Sequence, residues 1–124
     1  MITYIKINGF KSFHNFEMEF TPLTVIAGVN ASGKSNLFDA FSLLSRLAET
    51  DLKTAFSEQR GNPQELFTLY GGEYASEMEF VVEMHLEKLI KDSLGGTYTL
   101  KHTRLRYELK YDELKMNLDL IVYF

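Results

Sequence analysis

Gly28-Val-Asn-Ala-Ser-Gly-Lys34-Ser35 decides the fold. It has the form G-x-x-x-x-G-K-[ST], the phosphate-binding P-loop. A triphosphate tail is crowded with negative oxygens, so it needs many hydrogen-bond donors and little steric bulk. Gly28 and Gly33 let the backbone curl, so that consecutive N–H groups turn inward as an anion nest. Lys34 would reach the β- and γ-phosphates. The Ser35 hydroxyl would take one coordination place on Mg²⁺.

The flanks agree with the motif. Leu23-Thr-Val-Ile-Ala27 before it reads as a buried strand. After it, Leu37, Phe38, Ala40, Phe41, Leu44, Leu47 and Ala48 recur at helical spacing, predicting a helix from Ser35 to about Ala48. Its positive N-terminal end would point at the phosphates.

Further out, Ile2–Asn8 alternates as a first strand and Gly9-Phe-Lys-Ser-Phe13 turns. Phe16, Met18 and Phe20 alternate with Glu17 and Glu19, predicting a half-buried strand antiparallel to the first. Leu52, Ala55 and Phe56 continue the helical pattern weakly, and Gly61-Asn-Pro63 stops it. Gln64 to Tyr70 reads as a short helical turn, closed by Gly71-Gly72. Met78 to Leu86 is a long one-sided strand, and Gly95-Gly96 lies in the turn region after it. Tyr98 and Leu100 use even positions, while Leu105 to Tyr111 use odd ones. The switch near His102–Thr103 predicts a bulge or a break. Met116 to Phe124 alternates as a last strand. An apolar strand running to the end of the sequence leads to the expectation of an N-terminal segment of something longer.

Bulk numbers bound the function. The 124 residues suffice for one domain, with a P-loop region at 1–70 and an antiparallel β region at 73–124. Thirteen basic against 17 acidic residues, net charge −4, argue against a nucleic-acid surface spread over the whole chain. With no cysteine there is no disulfide framework or thiolate metal site. The longest apolar run, Leu120–Phe124, is far short of a membrane span, and the N-terminus has no signal-peptide pattern. A cytoplasmic location with no membrane partner is the expectation.

Other candidates have plainer readings. His85 lies opposite the apolar stripe of its strand. Lys101, His102, Arg104 and Arg106 form a small basic cluster that reads best as a solvated sheet face, with a DNA-backbone contact as the sharper alternative. Glu77, Glu79, Glu83 and Glu87 read as an acidic edge. Tyr70, Tyr74, Tyr98, Tyr107 and Tyr111 read mostly as core or sheet-surface aromatics, with an adenine-stacking residue conceivable among them.

The run from Ile5 through Gly9-Phe-Lys-Ser-Phe13, then Pro22-Leu-Thr-Val-Ile26 and Gly28 to Asp39-Ala40, resembles the N-terminal lobe of the SMC/RecF/OLD-like branch of ABC-type ATPases. The fold this implies is α/β: a P-loop NTPase lobe with an antiparallel β-subdomain. Arg60-Gly-Asn-Pro-Gln-Glu-Leu-Phe67 resembles stand-alone bacterial AAA/OLD-type ATPases of phage defence. The resemblance implies ATP and Mg²⁺ as ligands, backbone N–H donors from Asn30, Ala31, Ser32 and Gly33, Lys11 and Ser12 on a loop that reaches the nucleotide, and Asn36 capping or lining the phosphate side. It also implies a homodimer of heads, closed by ATP and reopened by hydrolysis, coupled to DNA through regions beyond this sequence. The family's glutamine loop, Leu-Ser-Gly-Gly-like signature and Asp-Glu strand end are not in the sequence. Metal would rest on Ser35 alone, no residue would serve as catalytic base, and hydrolysis by this chain alone would be poor or nil. Two other classes stay open: a non-hydrolysing nucleotide-binding module, and a P-loop kinase. The two strands before the P-loop and the lack of an arginine-rich lid argue against the kinase.

Overall fold

The computed structural model describes residues 1–26, 33–59, 61–114 and 117–123. Its centre is one antiparallel sheet of five strands. In chain order these are β1 (Ile2–Asn8), β2 (Phe16–Glu19), β5 (Glu77–His85), β8 (Arg104–Asp112) and β9 (Asn117–Tyr123). Across the sheet they lie in the order β2-β1-β5-β8-β9. The first two strands therefore share a sheet with the second half of the chain.

Alternation explains which face is buried. One row across the sheet reads Phe16, Ile7, Phe80, Leu109, Leu120, and the next reads Met18, Ile5, Val82, Tyr107, Val122. On this face Ile5, Ile7, Phe80, Val82 and Leu109 are buried in the core. The helix α1 (Lys34–Glu49) belongs to the same core through Leu37, Ala40, Leu43 and Leu44. A shorter helix α2 (Leu52–Ser57) adds Ala55. Asp51 caps α2, accepting the Thr54 N–H at 2.9 Å.

The opposite face is mostly polar and cross-paired, with Val81 buried on it. Arg106 bonds Glu83 at 2.6 Å and Glu108 at 3.0 Å; Lys6 lies 3.8 Å from Glu79 and Lys110 lies 3.5 Å from Glu77. Glu77, Glu79 and Glu83 are thus not the acidic edge read from the sequence. Register sets each near a base on the neighbouring strand, which the linear pattern does not reveal. The same pairing ties Arg106 to carboxylates rather than leaving it to a phosphate.

The remaining elements are small. A 3₁₀ turn (Pro63–Leu66) leads into a hairpin of β3 (Leu69–Tyr70) and β4 (Glu73–Tyr74). Leu69 and Tyr70 are therefore strand, not the end of a helical turn, because Gly71 and Gly72 both take positive φ and reverse the chain between two pairing segments. A second hairpin joins β6 (Leu89–Lys91) to β7 (Thr97–Thr99). The break anticipated near His102–Thr103 is the gap between β7 and β8.

One expectation fails. Leu23 to Ile26 are not a strand, and Leu23 and Val25 are 82% and 80% exposed. The composition suits a buried strand, but a strand needs hydrogen-bonding neighbours. The described strands all pair among themselves, and none of them pairs with residues 23–26. Ala27, the last residue of that expected strand, lies outside the described residues.

Candidate phosphate-binding site

Gly33 is where the loop becomes helix. It sits at the N-cap of α1 with φ +90, and its carbonyl accepts the Leu37 N–H at 3.1 Å, the first helical bond. That left-handed backbone favours glycine. A glycine N-cap brings no side-chain acceptor, and the first turn of α1 carries no acidic residue. The N–H groups of Lys34, Ser35 and Asn36 fall in that first turn, where an α-helix leaves donors without intrahelical partners. Lys34 is half-buried and Ser35 exposed. The other end of α1 is complemented by Arg46, which bonds Glu49 at 2.9 Å and also pairs with Glu58.

The Gly9–Phe13 turn lies against this helix start. Gly9 N–H donates to the Phe13 carbonyl at 3.0 Å and Phe13 N–H to the Phe10 carbonyl at 2.8 Å, closing the turn. Gly9 has φ +79, and a Cβ there would collide with the Glu77 carbonyl oxygen of β5. Only glycine lets the turn approach the sheet so closely. Phe10 is fully buried, with its ring centroid 5.4 Å from that of Phe80. So anchored, the turn carries Lys11 and Ser12 to α1. Asn36 Nδ2 donates to Ser12 Oγ at 2.8 Å, and Ser12 Oγ lies 3.5 Å from where a Gly33 Cβ would stand. Lys11 Nζ donates to Asp39 Oδ2 at 2.7 Å.

Of the residues assigned from the sequence, Gly28, Asn30, Ala31 and Ser32 lie outside the described residues. Gly33 sits at the N-cap of α1, Lys34, Ser35 and Asn36 occupy its first turn, and Ser12 joins them. Lys11 comes with Ser12, but its ammonium is on Asp39, a partner the sequence did not suggest. The only signal was opposite charge, and 28 positions separate the two. No group of three or more His, Cys, Asp or Glu side chains is arranged to hold a metal among the described residues. The donor set fits a polyphosphate: a glycine with positive φ, uncapped helix N–H groups, a lysine and small hydroxyls, with no carboxylate in the first turn to repel it. It fits Mg²⁺ through a hydroxyl ligand, since that ion keeps several waters and takes its other ligands from the phosphates. Among the described residues no helix is long and apolar enough to cross a membrane.

Comparison with known proteins bears on the family and the fold. No curated protein matches the sequence. One similar solved structure comes from work on ATP-driven dimerization and DNA-stimulated activation of SMC ATPases. It superposes with a TM-score of 0.62 at 20% identity, over 98% of this chain and 68% of that one. At that identity the likeness shows the fold, an SMC ATPase-like α/β arrangement with an antiparallel sheet. The AAA domain family matches residues 4–123, nearly the whole sequence. On that match the chain belongs to the AAA domain family, and it carries the fold of an SMC ATPase.

Proposed function

We infer that this chain binds Mg-ATP through the loop Gly28–Ser35, as the nucleotide-binding N-terminal part of an SMC/RecF/OLD-like ATPase. The observation that carries the reading is the start of α1. Gly33 with φ +90 hands the chain into a helix whose first residues are Lys34 and Ser35, and Ser12 and Asn36 close the side of that turn. Lys34 supplies the charge that meets the β- and γ-phosphates, and the Ser35 hydroxyl supplies one ligand to Mg²⁺. Backbone N–H groups of Asn30 to Gly33 complete the cradle.

In this reading ATP joins two such heads, each loop facing the other protomer, and hydrolysis separates them. The energy drives work on DNA, in repair or in phage defence, from the cytoplasm. The similar SMC ATPase, described as dimerising with ATP and activated by DNA, supports this direction. The sequence carries no apolar strand ending in an acidic pair, so the base that activates water comes from elsewhere in the working assembly. Sedimentation of the protein with and without Mg-ATP, with phosphate release followed on the same samples, tests the proposal. A nucleotide-dependent shift to a dimer supports it, and the reading fails if mass is unchanged by saturating Mg-ATP. Transfer of phosphate to a small acceptor would favour a kinase instead.

A further inference from the structure

The ion pair between Lys11 and Asp39 has no part in the phosphate site as read so far. Its nitrogen and oxygen are 2.7 Å apart, and the two side chains keep only 13% and 17% of their exposure. Lys11 also has φ +46, in the left-handed region. Glycine or asparagine enters that region readily, whereas a long side chain does so at a cost. A lysine held there points to a requirement for its ammonium. Its backbone is fixed as well, with the Lys11 N–H donating to the Leu66 carbonyl at 2.7 Å.

What the pair holds in place is Ser12. Asn36 and Asp39 are three residues apart on α1, and so share one face of the helix. Asn36 bonds Ser12, and Asp39 bonds Lys11. The turn is therefore fastened to the first two turns of α1 at successive residues. Ser12 Oγ comes to rest beside both Gly33 and Asn36. A neutral hydrogen bond between two surface side chains is weak. The less exposed, charge-assisted contact is the firmer anchor.

We propose that Asp39 is a positioning residue of the phosphate site: by holding the Lys11 ammonium it seats the Gly9–Phe13 turn on α1 and sets Ser12 and Asn36 beside Gly33. The inference rests on the phosphate-loop reading above. It assigns Lys11 to Asp39 and not to a phosphate oxygen, so the cation that meets the nucleotide from this side chain set is Lys34.

The test uses the full-length protein and four variants: Asp39→Asn, Lys11→Asn, the exchange Lys11→Asp with Asp39→Lys, and Lys34→Ala. Lys11→Asn relieves the backbone at φ +46, so any loss it shows comes from the ammonium. Two quantities are read: amide hydrogen exchange over residues 9–13 and 33–37, and Mg-ATP affinity by calorimetry. Asp39→Asn and Lys11→Asn should each speed exchange in both segments and weaken ATP about 10-fold, equivalent to ~1.4 kcal/mol. The charge exchange should restore both. Lys34→Ala should lose ATP while exchange in the turn stays as in the wild type. Unchanged exchange in Asp39→Asn overturns the proposal. So does a charge exchange that restores protection but leaves ATP weak, since Lys11 would then be a phosphate ligand itself. If the wild type binds no Mg-ATP, the phosphate-loop reading falls separately, and exchange still decides whether Asp39 seats the turn.

Discussion

Gly9 and Gly33 both need positive φ, yet they should respond differently to a methyl group. At Gly33 the added Cβ would meet, among the described residues, only Ser12 Oγ at 3.5 Å, an ordinary contact. The expected cost of Gly33→Ala is that of the backbone conformation, about 1–2 kcal/mol. At Gly9 the Cβ also runs into the Glu77 carbonyl, part of the sheet backbone, which cannot move aside cheaply. Gly9→Ala should cost more than ~2 kcal/mol and displace the turn that carries Lys11 and Ser12. Urea unfolding of the two variants checks the order; equal losses would show that the close approach at Gly9 is unimportant. The spacing of glycines, lysine and serine stands out in the sequence because phosphate chemistry dictates residue types at fixed spacing, and of these Gly33, Lys34 and Ser35 fall within the described residues. The hold of Asp39 on Lys11 was not legible, because it depends on how the turn packs on α1.

At the scale of elements, the hairpin of β6 and β7 is organised by one carboxylate. Asp92 accepts the Gly96 N–H at 2.7 Å, the Tyr98 hydroxyl at 3.0 Å and the Leu94 N–H at 2.9 Å. The Gly96 backbone bond first, then the Tyr98 hydroxyl, hold the Asp92 carboxyl below its ordinary value. A carboxyl lowered in the folded state contributes stability that is present above its unfolded pKa. That stability is lost as pH falls through the lower folded value. Exchange protection across residues 92–98 should therefore hold at neutral pH and fade on acidification below the usual carboxylate range. Asp92→Asn should be frayed at neutral pH and insensitive to that acidification. Protection in the wild type that is flat across the acid range would contradict this. Strands with alternation, such as Met78 to Leu86, were legible because period two assigns element and main face, although Val81 on the other face is buried as well. Leu23 to Ile26 misled because β-branched composition states only that a segment suits a sheet, while pairing depends on neighbours elsewhere in the chain. Leu69–Tyr70 misled because two residues carry too little periodicity to separate a strand from a helical turn.

At the scale of the molecule, one core ties the sheet to the site. Phe10 of the turn, Phe80 of β5 and Leu43 of α1 are all fully buried in it. Phe80→Ala should therefore cost about 3–5 kcal/mol and weaken nucleotide binding together with stability. Lys34→Ala should lose binding alone, since its half-exposed side chain leaves that core untouched. Thermal melting beside nucleotide titration separates the two. The α/β class and antiparallel character were readable from strand patterning and the loop. The ion-paired outer face was not, because Glu83 and Arg106 meet only once β5 and β8 are in register. The central claim is that the start of α1 receives a triphosphate. Calorimetric titration of Mg-ATP into the wild type and Lys34→Ala, both shown to be folded, tests it most directly. Saturable one-site binding, abolished in Lys34→Ala, is the expected result. Equal affinity in the two proteins would place the nucleotide elsewhere and contradict it.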